Sequence, residues 1–188
     1  MTAPERWIGA CWLLFFLYWA IKAWPAKPVA EWQNWRGILA NRIPTLVGGL
    51  LLAWPKPPHP LDARLIPRTA VAGWLGAGIC VLGLLVAIWA RRTLGANWSS
   101  LVLFRQEQEL VQKGPYRFVR HPIYTGILLM CLGSAVAFGR LGPWLGLPLL
   151  GAGFWIKLRQ EETLLVRHFP TQYPVYKARV KALIPLVL

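Results

Sequence analysis

Charge is scarce in this chain of 188 residues: 15% are Asp, Glu, Lys or Arg while 56% are hydrophobic. An ordinary soluble domain carries about a quarter charged residues, so the composition excludes that class and points to a membrane protein. Acidic residues are scarcest. There are seven, Glu5, Glu31, Asp62, Glu107, Glu109, Glu161 and Glu162, against 21 Lys and Arg, and three histidines, His59, His121 and His168, so acid–base chemistry has few places to sit. Cysteine is limited to Cys11, Cys80 and Cys131, all inside apolar runs, where a thiol acts as a small packing residue. That placement excludes a disulfide framework and a metal knuckle, and no metal site is expected. Internal repeats and a second soluble domain are also absent.

What is present is a series of apolar blocks. Trp7 to Ile21, Ile38 to Trp54, Thr69 to Ala90, Ile123 to Phe138 and Leu141 to Ile156 approach the roughly 20 residues that a spanning helix needs. The expected fold is therefore all-α: one integral membrane helical bundle with about five transmembrane helices and a cytoplasmic C-terminal helical cap. The second block contains Arg42 and Pro44 and is expected to start at the interface, tilted or kinked. The fourth and fifth are short and joined by Gly139-Arg140-Leu141-Gly142-Pro143, a tight helical hairpin. The first is kept as a helix, because its n-region has cancelling charges (Glu5, Arg6) and no small-residue cleavage site follows. Gly73, Gly76, Gly78, Gly151 and Gly153 are expected to permit close helix packing. No strand precedes them, as a nucleotide-binding glycine loop would require. The 12 tryptophans gather toward span ends, as an interfacial belt would.

The basic residues set the topology. With five spans, segments 22–36, 91–120 and 157–188 share one side and hold fifteen Lys and Arg, while the other side holds five, Arg6, Lys56, Arg64, Arg68 and Arg140. This bias places the C-terminus in the cytoplasm and the N-terminus outside. It also accounts for the net charge of +14 through attraction to anionic membrane lipids. Basic residues interleaved with spans form no nucleic-acid recognition element, so nucleic acid is not an expected partner, and no required protein partner is evident. Short loops and small size favour a prokaryotic inner membrane.

Chemistry converges on two clusters. The stretch GPYRFVRHPIYTG, Gly114 to Gly126, sets Arg117, Arg120 and His121 just before the fourth span; Glu161 and Glu162 follow the fifth. From Pro122 to the turn near Leu141, and back to Glu161, each arm runs roughly 30 Å at 1.5 Å per residue. The hairpin thus returns the two glutamates to the level of His121. Pro122 reads as the first helical residue with His121 near the N-cap, and the helix N-terminus offers N–H groups to an anion. Arg117 and Arg120 add charge-assisted donors, and the glutamates suit an ammonium or ribose hydroxyls. The blander reading of each cluster, interfacial anchoring and a solvated acidic pair, is equally compatible with spacing alone.

The ordered elements Arg120-His121-Pro122-Ile123-Tyr124, Glu161-Glu162 and Phe169-Pro170-Thr171-Gln172-Tyr173-Pro174-Val175-Tyr176 with Pro185 resemble the isoprenylcysteine carboxyl methyltransferase family and its phospholipid methyltransferase relatives. The resemblance covers Leu94 to Leu188. It implies an integral membrane methyltransferase that uses S-adenosylmethionine, releases S-adenosylhomocysteine and lacks a soluble Rossmann fold. It divides the single domain into residues 1–93, helices on the substrate-entrance side, and 94–188, the methyltransferase core with its cap. A lipophilic acceptor would arrive from the bilayer. By motif match Gly114, Tyr116, His121, Pro122, Tyr124, Glu161 and Glu162 would bind the cofactor, while Arg120 and Arg179 would orient an acceptor carboxylate. Arg120 holding the cofactor's own carboxylate is the other option.

Two departures bear on the cap. Pro170 stands where the family has Gly, and Pro174 follows Tyr173; both stiffen the chain and bias the preceding residue away from helix. The N-terminal half matches nothing specific, so the acceptor class is open between a prenylated thioether carboxylate, a phospholipid amine, and a small hydrophobic acid or thiol. A carboxylate acceptor needs no general base, whereas an amine or thiol would turn to Glu161, Glu162 or His168. Two other classes stand beside this reading: a sterol-reductase-like membrane reductase that binds NADPH, and a scaffold that binds no cofactor.

Overall fold

A computed structural model describes residues 2–22, 29–32, 35–98, 103–105 and 109–185. Every apolar block forms a helix. We name them α1 (Ala3–Ile21), α2 (Trp35–Ala53), α3 (Ala70–Leu94), α4 (Pro122–Phe138) and α5 (Leu141–His168), followed by a short α6 (Gln172–Arg179). Strands β1 (Val29–Trp32) and β2 (Leu103–Arg105) pair antiparallel, an element the all-α expectation did not contain. Among the described residues, Ala70–Leu94 is the one helix long and apolar enough to cross a membrane by length and composition, with Gly37–Ala53 and Pro122–Phe138 as shorter apolar helices.

Glycine spacing explains the main crossing. Gly76 and Gly83 on α3 are seven residues apart, as are Gly126 and Gly133 on α4, so each pair lies on one helix face. Gly83 meets Gly126 and Gly76 meets Gly133 backbone to backbone, which requires antiparallel helices in close approach. Gly48 and Gly146 do the same for α2 and α5. Of the glycines expected to permit close packing, Gly73 (against Pro4), Gly76 and Gly153 do so, whereas Gly78 and Gly151 face open space.

Around these contacts Ile8, Cys11, Phe15, Cys80, Leu84 and Met130 form one apolar core, with α1 laid against α3. Its polar groups are satisfied locally: Trp12 Nε1 donates to Ser134 Oγ at 3.0 Å, and Ser134 Oγ donates to the Met130 carbonyl at 2.8 Å. A second core joins Ala90 of α3 with Tyr116, Tyr124, Phe154, Leu158 and Leu183, so the N-terminal helices and the motif-bearing half share one interior. Elsewhere apolar side chains point outward, among them Leu14, Phe16, Leu46, Leu50, Val71, Trp74, Leu82 and Leu85.

Two boundaries matter for the site. Pro122 is the first residue of α4 and His121 its N-cap, as expected, and α4 ends at Gly139 in the left-handed conformation, φ 62°. α5 does not stop at Ile156. It runs 28 residues to His168, so Glu161 and Glu162 sit on continuous helix, as the helical rise used to place them requires. Pro174 lies in the first turn of α6, where no intrahelical N–H is required; Tyr173 before it is helical, against the expected bias.

Candidate cofactor site

The return arm of the hairpin brings the two sequence clusters into contact. Tyr124, in the first turn of α4, donates its hydroxyl to Glu161 Oε1 at 2.5 Å. His121 Nδ1 lies 3.6 Å from Glu161 Oε2, and its Nε2 lies 3.4 Å from Glu162 Oε1. Glu162 also receives Arg120 Nε at 2.8 Å and Nη2 at 2.6 Å on Oε1, and Lys177 Nζ at 2.7 Å on Oε2. Residues 162 and 120 are 42 apart in sequence, yet their ionic side chains are only 3% and 9% exposed.

The glutamates thus differ in kind. Glu162 is a buried knot that ties α5 to the start of α4 and to α6. Glu161 is 24% exposed at the side chain and faces a cavity of about 290 Å³, near the lower end of the roughly 300–1,000 Å³ of small-ligand sites. Tyr116, His121, Tyr124 and Glu161 line it, as does Arg120. Trp19, Ile127, Phe154, Leu164 and Leu165 supply apolar wall, and Tyr124 lies between His121 and Phe154 in a stack with centroids 5.6 and 5.0 Å apart.

Several expected residues take other positions. Arg120 lines the cavity but its fork is filled, since beyond Glu162 its Nη1 donates to the carbonyls of Lys177 (3.3 Å) and Val180. A guanidinium so engaged fastens the cap and has little left to hold a ligand carboxylate. Arg179 is exposed and donates to Val175 on its own helix at 3.4 Å, apart from the cluster. Gly114 opens a 3₁₀ turn at φ 60°, where an added Cβ would meet Thr93 at 3.0 Å; it and Pro122 shape the chain behind the cavity lining. Just before α4 the N–H groups of Arg120 and His121 donate to the carbonyls of Lys181 (2.8 Å) and Ala182 (3.0 Å), and Thr125 Oγ1 donates to that of Leu183 (2.7 Å), so the 181–183 segment lies against the start of the helix. The cap is also held by Tyr176, whose hydroxyl donates to the Tyr116 carbonyl at 2.7 Å.

Other residues of the lining had weaker signals or none. Lys157, whose Nζ lies 5.4 Å from the Tyr124 ring centroid, precedes Glu161 by one helical turn, a spacing that places both on one face. Asn97 follows the end of α3 within no motif, and nothing in the sequence marks it.

Burial by itself would lower the His121 pKa, but the hydrogen bonds and charges of Glu161 and Glu162 outweigh it and raise it above its ordinary value. For the glutamates burial acts upward, and His121 with Lys157 and Tyr124 for Glu161, or with Lys177 and Arg120 for Glu162, brings both below the usual carboxylate range. His121's stabilisation is complete below its unfolded value of 6.5 and is lost as pH rises through the higher folded value. That of the carboxylates is complete above 4.5 and is lost as pH falls through their lower folded values. Thermal unfolding in detergent should therefore show greatest stability between pH 4.5 and 6.5, and His121→Gln should flatten the alkaline side of that profile; a wild-type maximum well above neutrality would contradict this pairing.

Residues 71–172 match the family model described as Phospholipid methyltransferase, more than half of the chain, covering α3 from its second residue and all of α4 and α5. The chain belongs to the phospholipid methyltransferase family. Among curated relatives it is 31% identical over 113 residues to the protein-S-isoprenylcysteine O-methyltransferase of Schizosaccharomyces pombe, covering 58% of this chain and 48% of that one. It is 31% identical over 126 residues to the enzyme of the same name from Dictyostelium discoideum, covering 63% and 51%. The uncharacterized protein YpbQ of Bacillus subtilis is 40% identical over 72 residues, 38% of this chain and 43% of that one. The chain spans about half the length of the curated relatives it matches. Within the phospholipid methyltransferase family match lie both arms of the hairpin and the pair Glu161-Glu162; Lys177 and the 181–183 segment that close the site lie beyond it.

Proposed function

We propose that the chain is an S-adenosylmethionine-dependent membrane methyltransferase acting on a lipophilic acceptor, most like the isoprenylcysteine carboxyl O-methyltransferases. The observation that carries this is a half-buried carboxylate, Glu161, presented with His121, Tyr116 and Tyr124 to a cavity with apolar walls and roofed by the C-terminal cap. Family membership and the named relatives support the reaction type.

The lining fits the cofactor: a carboxylate for its ammonium or ribose hydroxyls, aromatic faces for its ring, and a buried acceptor, Asn97 Oδ1, without a partner among the described residues. When bound, S-adenosylmethionine supplies a methyl group activated on a sulfonium. Glu161 would bind the cationic or hydroxyl part, held in orientation by Tyr124 and His121. Phe154, Ile127 and Trp19 exclude water and suit an apolar acceptor. Positioning supplies most of what an in-line methyl transfer requires. A carboxylate acceptor would react as it stands, with no general base.

The outward apolar side chains of α1, α2 and α3 support the five-span bundle, with residues 1–93 toward the acceptor and 94–188 as the core. The excess of Lys and Arg supports a cytoplasmic C-terminus in a prokaryotic inner membrane. Calorimetry of detergent-purified protein tests the assignment. S-adenosylmethionine and S-adenosylhomocysteine should bind and NADPH should not; binding of NADPH alone would transfer the protein to the reductases, and no binding by any of the three would leave a scaffold.

A further inference from the structure

A second part of the cavity lining comes from the end of α3 and the turn after it, a stretch carrying none of the motifs. Leu94, Asn97 and Trp98 face the cavity there, with Trp19 and Val111 beside them. Asn97 Oδ1 is buried and has no hydrogen-bond partner among the described residues. Leaving a buried acceptor unpaired costs its desolvation with nothing in the fold to offset it, and such atoms are few in native proteins. The surroundings are flat and apolar. Leu94, Trp98 and Val111 pack against the same core as Tyr116 and Tyr124, and Trp19 meets Trp98 edge to face at 6.4 Å. Arg91 lies 4.4 Å over the Trp98 ring, which fixes that side chain in place.

We propose that Asn97 recognises the adenine ring of the bound cofactor, its carboxamide accepting from the 6-amino group and donating to N7. This rests on the methyltransferase reading above. Three parts of the cofactor can donate to an oxygen: the ammonium, the ribose hydroxyls and the 6-amino group. The first two are better met by a carboxylate, and Glu161 lines the same cavity. A neutral amide among indole and aliphatic walls suits a neutral planar ring, and a carboxamide matches the donor–acceptor edge of adenine in two parallel hydrogen bonds.

The test compares S-adenosylhomocysteine with S-inosylhomocysteine, which carries an oxygen in place of the 6-amino group, by calorimetry on the full chain in detergent. Wild type should bind the adenosyl compound roughly 10–100-fold more tightly, the discrimination typical of a bidentate amide–base pair. Asn97→Ala should bind the two equally, with its adenosyl affinity reduced to the inosyl level. Equal binding of both compounds by wild type would overturn the proposal without any variant, and a preference retained in Asn97→Ala would overturn it too. Failure of wild type to bind either compound would instead bring down the methyltransferase reading, and this assignment with it.

Discussion

Replacing Glu162 with alanine is expected to unfold the cap, whereas replacing Glu161 with glutamine is expected to leave the fold intact and weaken binding at the site. The two carboxylates are neighbours in sequence, but their surroundings differ. Glu162 is the shared acceptor of Arg120, Lys177 and His121, and it and Arg120 are almost fully buried. Removing it leaves several positive groups facing one another without a counter-charge. The cost of breaking a buried ion pair from one side is about 3–5 kcal/mol, a large part of the roughly 5–15 kcal/mol that holds a typical protein folded. Glu161 is partly exposed, its amide replacement still accepts from Tyr124, and His121 keeps Glu162, so this change should cost less stability than Glu162→Ala. Binding of S-adenosylhomocysteine should nevertheless fall by tenfold or more, the order of one charge-assisted hydrogen bond of about 1.5–3 kcal/mol. Thermal unfolding and calorimetry on both variants separate the roles. A stable Glu162→Ala protein would refute the knot, and full affinity in Glu161→Gln would remove the carboxylate from the site.

That division was only half legible in the sequence. The helices were visible because their apolar runs are long and bounded by Pro, Gly or Arg, and the meeting of His121 with Glu161 follows from two arms of equal rise. The end of α5 was not, because Lys157-Leu158-Arg159-Gln160-Glu161-Glu162 is polar and resembles a chain leaving the membrane; its residues are nonetheless good helix formers, and that signal was available. The fate of Arg120 could not be read in advance. It depends on carbonyls of Lys177 and Val180, which reach it only after α6 turns back, and backbone acceptors have no signature in side-chain sequence. The same holds for the 181–183 segment, whose carbonyls accept from residues 120 and 121 just before α4. The strand pair of four and three residues was too short to carry a period.

Leucine at Gly83 should prevent the protein from accumulating in folded form, while alanine at Gly78, five residues earlier on the same helix, should be tolerated or slightly stabilising. A Cβ at Gly83 would lie 2.5 Å from the Gly126 carbonyl oxygen and 2.6 Å from the Met130 amide, both backbone atoms of α4 that no rotamer change can move. The helices would have to separate, beyond the roughly 1–3 kcal/mol of ordinary overpacking. Gly126 answers with the same geometry toward Ala87, 2.7 Å from its amide, so the contact cannot relax from the other side. Gly78 has nothing within 4 Å and is exposed, and there alanine gains up to about 1 kcal/mol of helix propensity. The consequence reaches the site, because His121 caps α4, Tyr124 lies in its first turn, and the position of α4 against α3 fixes where those side chains meet Glu161. A milder variant, Gly83→Ala, should therefore lose cofactor affinity together with thermal stability. If Gly83→Ala proved as stable and as tight-binding as Gly78→Ala, the antiparallel glycine crossing would not be what sets the geometry of the cavity.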